Sequence, residues 1–339
     1  MRDDTQRKGL YGVKLDQPPF LGLAPKEQAA LLVSWGANAV FGAYDDPAFA
    51  DAVHDAGLKL YAEFRCFSGA DWWEREPEAR PITADGDVLA PEEGYHGVNP
   101  SHPVVRQDRL EALEHLLRSY PVDGVWLDFI RWPCHWEVPQ PRLEQTSFDA
   151  DTIRRFARDQ GLALEIGAPR ENAALVRENH AEEWRAWRIE QIVSWTALAR
   201  ELLDAVRPEV ELAAFTVPWQ PGEYDNAILD VVAQDHAALA PYIDLYSPMV
   251  YHAMCGRPVA WIDDVVRELA ARTGRPVWPI IQSVDHPRPL PADEYGDALA
   301  TALDCPQSAG ALVFTLEGML TPDKLAATRR AFCAEESAR

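Results

Sequence analysis

Apolar residues along this chain follow two alternating rhythms. Short runs bounded by Gly, Pro or Asp give way to longer stretches in which apolar positions recur every three or four residues. The first pattern predicts strands and the second amphipathic helices. Gly9 to Leu15, alternating around Tyr11, Val13 and Leu15, reads as a first strand. Pro25 opens a helix in its first turn, where a missing N–H costs nothing, and Gly36 stops it. Ala37 to Tyr44, Lys59 to Phe67 and the run after Asp123-Gly124 read as strands two to four, separated by helices at Pro47 to Ala56 and Val104 to Tyr120. A long helix from Ala181 to Val206 leads to strand five, Glu211 to Trp219. Strands six (Asp244 to Tyr251), seven (Pro276 to Ser283) and eight (Ala309 to Glu317) alternate with helices at Asn226 to Ala240, Val259 to Arg272, Ala292 to Leu303 and Pro322 to Cys333. Eight strand–helix units suit parallel crossovers and close a barrel. The expectation is α/β: a (β/α)8 TIM barrel forming a single domain over residues 1–339. Two long irregular stretches interrupt it, 68–101 after strand three and 134–179 after strand four, the second with a short helix around Asp151 to Arg158.

Composition is that of an ordinary globular chain, with 47% hydrophobic and 25% charged residues among 339. No apolar run approaches the roughly 20 residues that cross a bilayer, so no membrane partner is expected. The polar start, Met1 to Lys8, is not followed by a signal-type apolar segment. The expected location is cytoplasmic, with secretion open if a signal peptide was removed. A formal charge of -22 repels a polyanion and argues against nucleic acid as a partner. The five cysteines are widely spaced and show no C-x-x-C pair, which suggests neither a zinc site nor a disulfide framework. Cys66 and Cys134, after neighbouring strands, read as reduced core thiols.

Chemistry in such a barrel gathers at the C-terminal ends of the strands. In Asp123-Gly124-Val125-Trp126-Leu127-Asp128 a carboxylate appears where a buried strand is about to stop, and side-chain alternation puts Trp126 and Asp128 on one face. The other strand ends bring Glu63 with Arg65, Arg131, Trp219, Tyr251, His252, Gln282 and Glu317 to the rim. Several carboxylates among aromatics suit glycoside cleavage, in which one carboxylic acid protonates the leaving oxygen while a carboxylate attacks or directs water. Asp128 is the expected nucleophile or base, held ionised by Arg131 or Arg65. Glu317, Glu63 and Glu223 stay open as the partner acid, although Arg65 beside Glu63 counts against an acid role there. Trp72, Trp73, Trp132, Trp136 and Trp219 all follow strands and are expected to stack on sugar rings, whereas Trp126 and Trp278 read as core. Asp123 and Asp244, before strands four and six, read as turn or cap residues at the barrel bottom.

Three segments carry a resemblance. Asn99-Pro100-Ser101-His102-Pro103, then Asp123-Gly124 with Leu127-Asp128-Phe129-Ile130-Arg131-Trp132-Pro133, and Ile243-Asp244-Leu245-Tyr246-Ser247-Pro248-Met249-Val250-Tyr251 are similar to the NPxHPxV, DGIxLDYIRYP and VDYxSPMxY segments of glycoside-hydrolase-like barrel families. Phe129 stands where those families usually have Tyr and Trp132 where they have Tyr or Phe, and His252-Ala253-Met254 departs from their frequent Pro-Ser-His. The resemblance implies a TIM-barrel glycoside hydrolase that acts on an oligo- or polysaccharide with no cofactor, and places Asp128 at its centre. A non-catalytic carbohydrate-binding barrel is the alternative. A metal-dependent hydrolase is a third reading, disfavoured because H-x-H, H-x-x-x-H and paired-cysteine spacings are absent, so no metal ligand is assigned. The oligomeric state is not legible.

Overall fold

The computed structural model describes residues 6–92 and 95–333; the first five residues of the polar N-terminal segment lie outside them. Eight strands, β1 (Arg7–Tyr11), β2 (Ala39–Phe41), β3 (Lys59–Arg65), β4 (Gly124–Asp128), β5 (Glu211–Thr216), β6 (Leu245–Val250), β7 (Ile280–Gln282) and β8 (Gly310–Phe314), pair in chain order and close into a barrel. Every neighbouring pair is parallel, including the closing pair β1–β8. The fold is the expected (β/α)8 TIM barrel.

Alternation along the strands sends one set of side chains to the axis, where aromatic rings from different strands meet. Phe41 lies 5.0 Å from Trp126, 5.3 Å from Tyr61, 5.8 Å from Phe215 and 6.0 Å from Trp278, centroid to centroid. Contacts across the barrel are possible only for side chains on its inner face, so these rings fill the lumen and give the mouth a solid floor. Trp126 Nε1 donates to Ser247 Oγ at 2.9 Å, which satisfies its polar edge inside that plug. Below it, the Arg7 guanidinium forms a fork on Glu211 at 2.6 and 2.7 Å. Asp123 accepts from Leu60 N and Asp244 from Leu212 N, each at 2.9 Å. Both acids thus tie adjacent strands at the barrel bottom.

Several elements differ from the sequence pattern for identifiable reasons. The helix expected over Asn226 to Ala240 is two short pieces, Ala227–Asp230 and His236–Leu239. Ala233 breaks it at φ 48°, and Asp235 caps the second piece by accepting from Ala237 N and Ala238 N. Strand seven shrinks to three residues, because Pro276 and Pro279 have no N–H for a ladder. The stretch 134–179 holds two helices rather than one, Ala150–Gln160 and Pro169–Asn179. The stretch 68–101 includes a short helix, Ala70–Arg75, and a 3-10 turn, Pro77–Ala79. All five cysteines are unpaired thiols.

The barrel seam depends on one glycine. Gly310 opposes Arg7 in the β1–β8 pairing with φ 140°, and a Cβ there would lie 1.9 Å from the Arg7 carbonyl oxygen. Gly310→Ala is therefore expected to destabilise the protein by about 2–4 kcal/mol. Urea unfolding measures this, and a loss below ~1 kcal/mol would show that the seam yields freely.

Candidate active site

The C-terminal ends of the strands open into a cavity of about 390 Å³. Tyr11, the last residue of β1, lines it with Glu63 and Arg65 of β3, Asp128 at the end of β4, Tyr251 just after β6 and Phe314 at the end of β8. The loops after β3 and β4 add Glu92, Tyr95, His135, Trp136 and Glu137. Thus the two long irregular stretches of the sequence build the walls of the cleft.

Glu63 and Asp128 occupy adjacent strands, with Arg65 directly opposite Asp128 in the register. Because Glu63 and Arg65 are two apart they share a face, and Arg65 Nε donates to Glu63 Oε1 at 3.1 Å. The Tyr11 hydroxyl donates a hydrogen bond to Glu63 Oε2. Burial, followed by the charge of Glu63, pushes the Tyr11 pKa well up, so Tyr11 stays a phenol and a donor. Both Glu63 oxygens therefore accept from a donor, Arg65 on one and Tyr11 on the other.

Asp128 has the opposite environment. Protein encloses its carboxyl on most sides, although the cleft reaches it, and Oδ1 accepts only from Phe129 N, at 2.7 Å, among the described residues. Burial first and the charge of Glu63 second push its pKa up to about 8, against weaker opposition from that N–H, Arg131 and Arg65. The expectation that an arginine would hold Asp128 ionised is thus reversed. Arg65 is committed to Glu63. Arg131 is buried, lines the same cleft, and donates to Cys134 O at 2.9 Å; its charge opposes the shift of Asp128 without cancelling it. Phe129 has φ 52°, a left-handed conformation that costs a non-glycine residue of order 1–3 kcal/mol. Its ring stacks on Tyr95 at 5.0 Å and lies under the guanidinium groups of Arg65 and Arg131, each at 5.4 Å.

Aromatic surface is present in the cleft, but tryptophan supplies little of it. Trp136 stacks on Tyr251 at 5.9 Å, and Tyr251 on Phe314 at 4.8 Å, which forms a continuous wall. Trp72, Trp132 and Trp219 are buried outside the cavity. Trp132 Nε1 donates to Arg188 O at 3.1 Å beneath the Arg188 guanidinium, and Trp219 packs on Tyr224. Trp73 is half-buried, with its Nε1 on Gly97 O at 3.0 Å. Of the five tryptophans expected at the rim, only Trp136 lines the cleft; the others serve packing.

Three further rim expectations are corrected by geometry. Glu223 turns to Arg257 at 2.6 Å and to Gln220 N at 2.7 Å, outside the cavity. His252 is 1% exposed, with Nε2 3.0 Å from Glu294 Oε1, so it faces the helical layer. Gln282 is buried, accepting from Met254 N and donating to Val284 O and His286 O. Glu317 does line the cavity, but its side chain is 80% exposed and its nearest cation is Lys14 at 3.9 Å. Tyr11, Tyr95, Phe314, Glu92 and Glu137 were not anticipated. Tyr11 had a signal, as an inward-alternating residue where the first strand ends; the loop residues had none beyond lying after strands three and four.

No protein-family model matches the chain. In sequence it is similar to an S-layer-related protein from Niallia circulans, 29% identical over 139 residues, which is 39% of this chain and only 8% of that protein. In structure it is similar to the PgaB (BpsB) glycoside hydrolase domain from Bordetella bronchiseptica, at 14% identity and TM-score 0.67 over 96% of this chain and 98% of that one. It is also similar to a beta-galactosidase from the psychrophilic Marinomonas ef1, at 12% identity and TM-score 0.71 over 98% of this chain and 60% of that one. A third likeness is to the glycoside hydrolase domain of PelA from Pseudomonas aeruginosa, at 14% identity and TM-score 0.50 over 93% of this chain and 96% of that one. At these identities the likeness is one of fold, the eight-stranded TIM barrel.

The enclosure of Asp128 has a consequence for stability. Its native pKa lies above the unfolded value of roughly 3.9, so between about pH 4 and about pH 8 the native state keeps a proton that the unfolded chain releases. Stability therefore falls as pH rises through that window. Asp128→Asn should flatten this fall and raise the melting temperature at pH 8 by a few °C. A wild-type and variant pair with parallel melting curves from pH 5 to pH 8 would contradict the enclosure.

Proposed function

We propose that this barrel is a glycoside hydrolase in which Asp128, in its protonated form, is the general acid and Glu63 is the carboxylate partner. The observation that carries this reading is the unequal environment of two carboxyl groups lining one cleft. Asp128 is enclosed and pushed toward the neutral form, whereas Glu63 is bonded by Arg65 and Tyr11. Glycosidic cleavage needs that division: an acid to protonate the leaving oxygen, and an anion to attack the anomeric carbon or activate water. The assignment inverts the one drawn from sequence, where Asp128 was the nucleophile or base.

The substrate class is an oligo- or polysaccharide. The wall of Trp136, Tyr251 and Phe314 offers flat apolar surface to one face of a sugar ring, while Glu92, His135 and Glu137 offer polar groups to its hydroxyls. No cofactor enters the chemistry. A barrel that binds carbohydrate without cleaving it would not require the Asp128–Glu63 pairing, so that pairing favours hydrolysis. Glu317 has an exposed side chain and suits contact with the sugar better than proton transfer.

Release of reducing ends from a broad panel of glycans tests the proposal. Asp128→Asn and Glu63→Gln should each lower kcat/KM by roughly 10²–10⁴-fold while binding of the same glycan persists. On the wild type, kcat/KM should fall as pH rises through about 8, where Asp128 gives up its proton. A wild type that binds a glycan from the panel and cleaves none would favour the binding protein instead.

A further inference from the structure

The segment Asn99-Pro100-Ser101-His102-Pro103 takes no part in lining the cleft, yet it is held with care. Asn99 is buried; its amide donates to Thr152 Oγ1 at 2.7 Å, and its Oδ1 accepts from Ser101 N at 3.0 Å and Ser101 Oγ at 2.8 Å. Asn99 N also donates to Ala79 O at 2.8 Å, which docks the 3-10 turn Pro77–Ala79 against the segment. This network sets His102 at the N-cap of the helix Pro103–Ser119, with its backbone N–H on Asn99 O. The side chain it positions makes no hydrogen bond among the described residues. His102 is 6% exposed; its Nδ1 is enclosed without a partner, and its Nε2 faces Glu76 Oε1 at 4.0 Å, beyond hydrogen-bond length. An imidazole buried to this degree ordinarily has a partner.

Around it stand two flexible carboxylates. Glu76, Glu78 and His102 each bring one potential ligand atom within 4.8 Å of the others. Glu78 is exposed and Glu76 half-buried, so both can swing inward. Arg155 and the three carboxylates of Glu76, Glu78 and Asp149 all act on the imidazole. We propose that Glu76, Glu78 and His102 bind one divalent transition cation, Zn²⁺ or Mn²⁺ in character.

The donor set selects this class. One imidazole with two carboxylates suits zinc or manganese, whereas calcium takes oxygen alone. Bonds of about 2.0–2.2 Å need ligand atoms roughly 3.3 Å apart, so a modest inward rotation of the glutamates completes the site. Its role is mechanical. Glu76 and Glu78 stand near the start of the connection between β3 and the next long helix, and His102 at its end. A cation joining them closes the loop that carries Glu92 and Tyr95 into the cleft. The site lies outside the reacting pair, so it stands or falls independently of the hydrolase reading.

The test uses protein stripped with chelator and then titrated with ZnCl₂ or MnCl₂ by calorimetry, with melting curves alongside. One equivalent should bind, and the melting temperature should rise by roughly 3–6 °C at a hundredfold excess over Kd. In the double variant Glu76→Gln with Glu78→Gln, whose changed groups are solvent-accessible and leave the fold intact, affinity should drop at least tenfold. Co²⁺ bound to the wild type should show visible absorption that His102→Gln alters. The proposal is overturned if neither cation raises the melting temperature, or if binding is equally tight in the double variant.

Discussion

Two carboxyl groups that share a poorly solvated cleft cannot both ionise at little cost, and that constraint organises this site. The protein resolves it by unequal provision. Glu63 receives a guanidinium on one oxygen and a phenol on the other, while Asp128, among the described residues, receives a single backbone N–H and is enclosed except where the cleft reaches it. Strand register produces the difference: side-chain alternation places Arg65 on the face of Glu63, and pairing puts it opposite Asp128. Arg131 also lines the cleft and opposes the shift of Asp128, but burial and the charge of Glu63 outweigh it.

The remaining architecture keeps that arrangement rigid. The ring cluster of Phe41, Tyr61, Trp126, Phe215 and Trp278 fills the lumen, so the two acids rest on a packed floor rather than a solvated pore. The stacked layers of Tyr95, Phe129, Arg65 and Arg131 hold the backbone of residue 129 in its left-handed conformation. Strain of this kind persists only where surroundings over-determine it. Here it lies at the residue whose backbone N–H donates to Asp128 Oδ1.

The eight-stranded barrel was legible from periodicity, because each buried strand is a short apolar run with Gly, Pro or Asp at its ends. Asp128 and Glu63 were legible as strand-end carboxylates one strand apart. What escaped the sequence was orientation. Nothing in the composition of Glu63-Phe64-Arg65 or of Arg131-Trp132 says that one arginine serves its own strand's glutamate and the other a carbonyl, so the ionisation of Asp128 came out inverted. The tryptophans misled for a related reason: an indole after a strand suits a cleft or a core equally well, and Trp132 goes to the core because its N–H finds the Arg188 carbonyl. Glu223, His252 and Gln282 were drawn away by partners distant in sequence, Arg257, Glu294 and Met254. Conversely, Tyr95 and Glu92 reach the cleft through loop geometry that no local pattern announces.

The unequal ionisation of the two acids is open to direct observation. In protein carrying ¹³C-labelled aspartate carboxyls, the resonance that disappears in Asp128→Asn reports this group alone. It should titrate near pH 8 in the wild type and at lower pH in Glu63→Gln, where the neighbouring negative charge is gone. A resonance that titrates near the ordinary aspartate value of about 3.9, and does so equally in both proteins, would contradict the account at its centre.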